Sequence, residues 1–461
     1  MLDLIIIGAG SAGISAYKEA RKYTDNLRII NDGDWDTSCA RVGCMPSKIL
    51  ISTANRLQDA NHADRVGLNL QVDADTSQVM QHVQSLRDRF TGSVIKDVES
   101  WNPEHKISGQ AKFINTNTVE VNGEQLQAKA FILAVGSTPR FDQDDQKALG
   151  DRLISTDDIF ELPDLPKRLA VIGSGAIAIE LSQAMHNLGV EVTTFARSRK
   201  VGILSSKNLQ EIAQAHISQN LNILFETLPT SMSRDGDQVT ITYQDQNGQS
   251  QSIQVDYVLS ATGRNSLLST LDLHNVDANF QESKKLPINN DTKQLGDYPI
   301  FVVGDAYSKN PIQHVAAYTG KHVVKNCLNY PEVQALPLLS PLAIVFSNPQ
   351  MAIAGQSKKE LEQQNIEFIT GFQSLEKQGR AMTLGKNYGA IEVYIEQCSQ
   401  RLLGAEMFVD SAEHLAHLLS WMIAEQVTLE DILNRPYYHP TLEEGIRSAL
   451  KHARRQLREN G

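Results

Sequence analysis

The sequence predicts an α/β chain: two Rossmann-like dinucleotide-binding folds followed by a C-terminal α+β domain. Two observations carry the first part, a strand–glycine–helix fingerprint at Gly8 and a second at Gly173. The third is a change of texture past residue 338, where alternating segments replace buried strands. The borders expected are 1–149 and 268–337 for the first fold, 150–267 for the second and 338–461 for the last domain.

The first fingerprint opens on "LDLIII", residues 2–7, an isoleucine-rich run with the character of a buried parallel strand. Gly8, Gly10 and Gly13 follow, then the helical "ISAYKEARKY". The first glycine allows the turn, the second lets backbone approach a pyrophosphate, and the third lets helix pack on strand. The second fingerprint, "RLAVIGSGAIAIELSQAMHNLGVEVTTFARS", gives a strand over Leu169–Ile172, then Gly173, Gly175 and Ala178, then a helix and a strand over Val190–Phe195. The position just beyond that strand's end meets the adenosine ribose. An acidic side chain there favours NAD and a cation favours the extra phosphate of NADP. It is Arg197, with Arg199 and Lys200 behind it. Two such folds in one chain imply two dinucleotides and electron transfer between them.

"FILAVGSTPR" and "YVLSATGRN" are apolar strands ending at Gly136 and Gly263, where backbone can pass near a cofactor. "IFVVGDA" ends in Asp305, placed to accept a hydrogen bond from a sugar or polyol hydroxyl. Beyond 338, "AIVFSNPQMAIAG", "GAIEVYIE" and "RLLGAEMFV" alternate like antiparallel strands, and "SAEHLAHLLSWMIAEQV" carries helical spacing.

At 461 residues the chain has material for three to four domains, and 41% hydrophobic with 21% charged residues is ordinary for a soluble globular protein. A net charge of -11 argues against nucleic acid, which wants clustered cations. The basic tail (Arg447, Lys451, Arg454, Arg455, Arg458) reads as a solvated helix facing its own negative dipole end. The opening apolar run is too short for a signal peptide and no stretch is long enough for a membrane span, so a cytoplasmic location is expected.

Four cysteines in so long a chain exclude a disulfide scaffold. Cys327 and Cys398 read as packing residues. Cys39 and Cys44, in "SCARVGCMPSK", form a close pair. Zinc would want further Cys or His ligands at short spacing, and only His62 is near, so no metal is expected. A structural disulfide closing so small a loop in a reducing cytosol would gain little. Redox chemistry remains. Pro46 suits a helix's first turn, which puts Cys44 at the positive end where a thiolate is stabilised. Residues five apart do not face each other in a regular helix, so the first turn must open to bring the two Cα atoms close, and Gly43 is read as supplying that freedom. Lys48 lies one turn beyond.

"CARVGCMPSK" resembles the redox-active stretch of the flavin-dependent pyridine nucleotide-disulfide oxidoreductases, most closely the dihydrolipoamide dehydrogenase branch. The resemblance also covers both fingerprints, "ATGR", "VGDA" and the late "HPTLEE". It implies FAD on the first fold, NAD or NADP on the second, and a C-terminal interface domain forming a homodimer. It further implies that Cys39 is the exchanging sulfur and Cys44 the one against the flavin, with Lys48 beside the flavin and paired to Glu180. Asp305 would hold the FAD ribitol, and His314 falls in the segment that follows. Ala111 stands where the family has a glycine touching FAD. His439 would be the base, oriented by Glu444 and supplied by the other subunit.

The chain departs from the family pattern in places. "DWDTSC" replaces the usual Gly-Gly before the first cysteine, and Asn31 with Asp32 beside it stands at the acidic FAD-ribose position. Arg197 stands where the dehydrogenase branch has an acid. The resemblance implies oxidation of a lipoyl-type dithiol, with a 2-oxoacid dehydrogenase complex as a partner of that branch. The alternative is an NADPH-dependent reductase of the glutathione type, against which Ser47 stands where such enzymes carry lysine. A mercuric reductase would carry a cysteine pair in its tail, which "RRQLRENG" lacks. A flavoprotein kept only for binding would not need Cys39, Cys44, His439 and Glu444 together.

Overall fold

The apolar run Leu2–Ile7 becomes a strand whose Leu4, Ile5 and Ile6 are sealed from solvent. Each such side chain contributes roughly 1.5–3 kcal/mol by burial. A computed structural model describes residues 1–307 and 311–460. Contacts divide the chain into two units, Met1–Pro46 with His82–Arg140 and Gly263–Leu338, and Ser47–Gln81 with Phe141–Thr262 and Leu339–Gly461.

In the first unit Leu2–Ile7 lies between the parallel strands Leu27–Asn31 and Glu124–Leu133, with Ile7 opposite both Ile30 and Leu133. Lys106–Ser108 and Ile300–Val302 extend the parallel set, while Thr118–Val121 and Lys112–Asn115 add an antiparallel flap. Helix Ser11–Ala20 packs on one face against helix Gln313–Asn329. Their backbones meet closely because residue 320 is glycine: a Cβ there would lie 2.2 Å from the Ala12 carbonyl oxygen.

The second unit holds three sheets. Five parallel strands run in the order Asn222–Phe225, Glu191–Ala196, Arg168–Ile172, Tyr257–Ser260 and Leu153–Ile154. A three-stranded antiparallel sheet spans Pro229–Val255. The last is antiparallel, in the order Leu342–Val345, Gln350–Gly355, Leu402–Val409, Ala390–Glu396 and Phe368–Ser374. It is covered by helices Ala412–Ala424 and Glu443–Asn460. The basic tail helix is thus anchored rather than merely solvated: Ile446, Ala449, Leu450 and Ala453 are buried, and Arg454 pairs with Glu430. Among the described residues no helix is long and apolar enough to cross a membrane.

Candidate active site

In the first fingerprint the turn is possible only for glycine. Gly8 adopts φ 104°, and a Cβ there would lie 2.3 Å from the Ala134 carbonyl oxygen. Gly13 is demanded by space, since its Cβ would stand 1.8 Å from the Gly8 oxygen. Gly10 caps helix Ser11–Ala20 without a side chain and faces open space, which leaves the helix's first N–H groups accessible to an anion.

Asn31 is buried at the end of its strand. Its Oδ1 accepts from Ala9 N at 2.8 Å, and its Nδ2 donates to the carbonyls of Gly33 (3.2 Å) and Asp34 (2.7 Å). Asp32, next in sequence, is exposed. Ala111 packs with Ile30 and Phe113 in the apolar core, which accommodates its methyl group.

The strand ends at Gly136 and Gly263 meet each other. Both glycines have positive φ, and Ser137–Pro139 pairs antiparallel with Arg264–Ser266. Arg264 donates from Nε to Ser137 Oγ at 2.9 Å and from Nη2 to the Ser137 carbonyl at 2.8 Å. Asp305 lies in the helical turn Gly304–Ala306 after strand Ile300–Val302. Burial pushes its carboxyl above the ordinary range, opposed by the Arg264 charge and a hydrogen bond from Ser137. Ser137 and Arg264 were missed as site residues, although Arg264 sits in the "ATGR" already singled out. His314 is half-buried as the second residue of helix Gln313–Asn329.

Cys39 sits in a short helical turn, Ser38–Arg41, whose N-cap Thr37 accepts from Ala40 N at 3.1 Å. Val42 leaves helical geometry, and a new helix, Cys44–Asn61, begins at the second cysteine. Gly43 does not take a left-handed conformation. Its role is close approach: a Cβ would lie 3.0 Å from Ser38 O and 3.3 Å from Cys39 Cα. The backbone entering Cys44 is therefore packed against Cys39, and both residues are half-buried. Of the two isolated cysteines, Cys327 is buried and its thiol is pushed up by burial, but Cys398 is exposed, so it is not a packing residue. It sits in the turn 397–399 that joins strands Ala390–Glu396 and Leu402–Val409.

In the second unit Gly173, at φ 125°, would place a Cβ 2.6 Å from the Ala261 oxygen. Gly175 caps helix Ala176–Asn187 over open space, and Ala178 is fully buried on it. Glu180 on the same helix is buried, accepting from Lys48 Nζ at 2.8 Å and from Phe346 N at 2.7 Å. Lys48 also lies 4.6 Å above the Phe346 ring. Arg197, Arg199 and Lys200 follow strand Glu191–Ala196 and are all exposed. A cavity of about 220 Å³ near these strand ends is lined by Ile172, Leu228, Ser260 and Thr262, with Asp142 and Asp145.

His439 is exposed, and its Nδ1 lies 3.0 Å from Glu444 Oε2. Glu444, the second residue of the last helix, also accepts from Thr441 N at 3.2 Å. The His439 hydrogen bond, aided by Thr441, holds its carboxyl below the ordinary range, so it is an anion at neutral pH. With Nδ1 engaged by Glu444, Nε2 is the ring nitrogen that the carboxylate does not hold.

The first unit thus gathers Gly8, Gly10, Gly13, Asn31, Asp32, Cys39, Cys44, Ala111, Gly136, Gly263, Asp305 and His314. The second gathers Lys48, Gly173, Gly175, Ala178, Glu180, Arg197, His439 and Glu444.

Mercuric reductase of Staphylococcus aureus is 29% identical over 450 residues, covering 97% of this chain and 81% of that one. Dihydrolipoyl dehydrogenase of Geobacillus stearothermophilus is 28% identical over 448 residues, covering 96% and 94%. Among solved structures, LpdA from Mycobacterium tuberculosis superimposes with a TM-score of 0.82 at 19% identity, over 99% of this chain and all of that one, a likeness of fold. The family model described as pyridine nucleotide-disulphide oxidoreductase matches residues 2–320, and its dimerisation domain matches 342–450. With both models matched in order along one chain, the protein belongs to the pyridine nucleotide-disulphide oxidoreductases.

Proposed function

We propose that this FAD-dependent disulfide oxidoreductase oxidises a lipoyl-type dithiol and acts as a homodimer. Gly43 packed on the Cys39 backbone, with Cys44 opening a helix, is the observation that carries the reading. It suits two sulfurs that open and close a bond while one is stabilised as a thiolate.

The family uses FAD and NAD(P). The residues present fit the flavin nucleotide: an uncapped helix start behind Gly10, the glycine turn at Gly136, and the half-buried Asp305 carboxyl. Bound FAD would supply the relay that takes two electrons from the reduced cysteine pair and delivers a hydride to NAD(P)⁺. The rest is the chain's own chemistry. The two cysteines are thiols in the structure; in the oxidised form a disulfide joins Cys39 to Cys44. His439, held by Glu444, takes the proton of a substrate thiol, the thiolate attacks the Cys39 sulfur, the Cys39–Cys44 bond breaks and Cys44 leaves as a thiolate. The second substrate thiol then displaces Cys39, releasing the cyclic disulfide and leaving both cysteines reduced. In the second fold Gly173, Gly175 and the uncapped helix start are proposed to hold the nicotinamide dinucleotide's pyrophosphate. Arg197 is proposed to meet its adenosine 2′ position, so that NADP(H) is used as well as NAD(H).

A second reading, reduction of Hg(II) by NADPH, is favoured by the likeness to the Staphylococcus aureus enzyme. Steady-state assays with dihydrolipoamide, oxidised glutathione and Hg(II), each with both nicotinamides, test the reading. Turnover of dihydrolipoamide far above the others is expected, and turnover of Hg(II) or glutathione disulfide alone would refute it.

A further inference from the structure

Glu406 is a carboxylate with no solvent exposure, on strand Leu402–Val409 of the C-terminal sheet. Burying a carboxylate is costly unless donors replace its water. Four do so. Ser205 N lies at 2.6 Å, Ser206 N at 3.1 Å, Ser205 Oγ at 2.5 Å and Lys358 N at 2.9 Å. Across the strands its partner is Glu392, also buried, which accepts from Asn208 Nδ2 at 3.0 Å and from the Tyr394 hydroxyl at 3.2 Å, with Lys358 Nζ 3.9 Å away. Two acids on the inner side of this sheet are thus spent on one segment, Ser205–Asn208.

That segment ends the loop that begins with Arg197. A second buried polar side chain holds the same loop: Gln210 accepts from Val201 N at 3.0 Å and donates to the carbonyls of Val201 and Leu204, both at 2.8 Å. Ser174, inside the second fingerprint, donates from Oγ to the Lys200 carbonyl at 2.6 Å and accepts from Gly202 N at 2.8 Å. Strand Glu191–Ala196 fixes the loop's start and this clamp fixes residues 200–206. What lies between is the cationic turn 197–200, where Arg199 pairs with Glu226 at a long 4.0 Å and both side chains are exposed. Its shape is set from its two ends.

We infer that Glu406 is a positioning residue for recognition of the adenosine 2′-phosphate, holding the Arg197–Lys200 turn from the C-terminal sheet through Ser205 and Ser206. This rests on the proposed reading of Arg197. Rigid placement matters because a guanidinium gains from a phosphate only when its fork is already aimed.

The test is equilibrium binding of NADP⁺ and NAD⁺ to the FAD-loaded protein, for wild type, Glu406→Gln, Arg197→Glu and the double variant. Glu406→Gln turns an amide donor onto N–H groups and should weaken NADP⁺ by about tenfold with NAD⁺ changed less than about twofold. The double variant should then lose little beyond Arg197→Glu. Ser205→Ala, which removes one donor and keeps the buried carboxylate, should move NADP⁺ in the same direction by a smaller factor, and serves if Glu406→Gln does not fold. Equal losses for both nucleotides, or an Arg197 effect with none from Glu406 or Ser205, would overturn the positioning role. If Arg197→Glu leaves the NADP⁺/NAD⁺ ratio unchanged, the underlying reading of Arg197 fails instead.

Discussion

Lys48 and Glu180 form an ion pair at 2.8 Å, in which the carboxylate is buried and the ammonium about one-third exposed. The second Glu180 oxygen is bound to Phe346 N, so one side chain ties helix Cys44–Asn61 to the Leu342–Val345 strand end. Lys48→Met should leave a buried carboxylate short of its cation and destabilise the protein by about 1–3 kcal/mol. Thermal unfolding at matched FAD loading checks it. An unchanged midpoint would mean that Glu180 is satisfied without the lysine.

At the start of the last helix, within the matched dimerisation domain, His439 is exposed and Glu444 half-buried. If this pair serves the partner's cysteines, inactive His439→Gln and inactive Cys39→Ser proteins should regain activity when subunits exchange. About a quarter of wild-type turnover is the ceiling for random mixing, because half the dimers are mixed and each has one complete site. No recovery after verified exchange would place each site within one chain.

Asp305 offers a test by pH. Its ordinary value is 3.8, and in the folded chain burial raises it. Below about 3.8 the folded and unfolded forms both hold the proton. As pH rises through the folded value, ionisation in the buried setting costs stability. Asp305→Asn should therefore stabilise the FAD-free protein at pH 7 relative to wild type, with the gain vanishing near pH 3.5, while FAD binds more weakly. Melting curves of apoprotein at both pH values decide it; a gain independent of pH would trace to something other than this carboxyl.

At the second fold, Arg197→Glu should shift the ratio of kcat/KM values from NADP(H) toward NAD(H). A charge-assisted contact contributes on the order of 1.5–3 kcal/mol, or roughly tenfold or more. A wild type that strongly prefers NAD(H), with a ratio untouched by the substitution, would make Arg197 only a surface cation.

What the sequence made legible is what is local. The glycine fingerprints announce their strands and helices because the turn, the cap and the close packing involve residues a few positions apart, and Pro46 marks the helix that starts at Cys44. The form of Gly43's contribution, space yielded to the Cys39 backbone, shows only in the fold. Asn31 illustrates a limit. The resemblance implies a ribose-binding position for it; in the fold Ala9, Gly33 and Asp34 engage its amide, and only the fold brings Ala9 there. Ser137 beside Arg264, and Glu406 beneath Ser205, are contacts between segments far apart in sequence, and no spacing rule signals them. Cys398 went astray because a lone cysteine carries no local sign of whether its turn faces the core or water.

The central claim is that Cys39 and Cys44 pass electrons between dithiol and flavin. The direct measurement is anaerobic addition of one equivalent of dihydrolipoamide to oxidised, FAD-loaded protein, followed by alkylation and mapping of the labelled cysteines. Labels on Cys39 and Cys44 that were absent before reduction are predicted, together with long-wavelength absorbance from a Cys44 thiolate beside the flavin, and Cys44→Ser should lose both that absorbance and turnover while keeping FAD. Reduction of the flavin with the labelling of Cys39 and Cys44 unchanged, or dithiol oxidation retained by Cys44→Ser, would contradict the account.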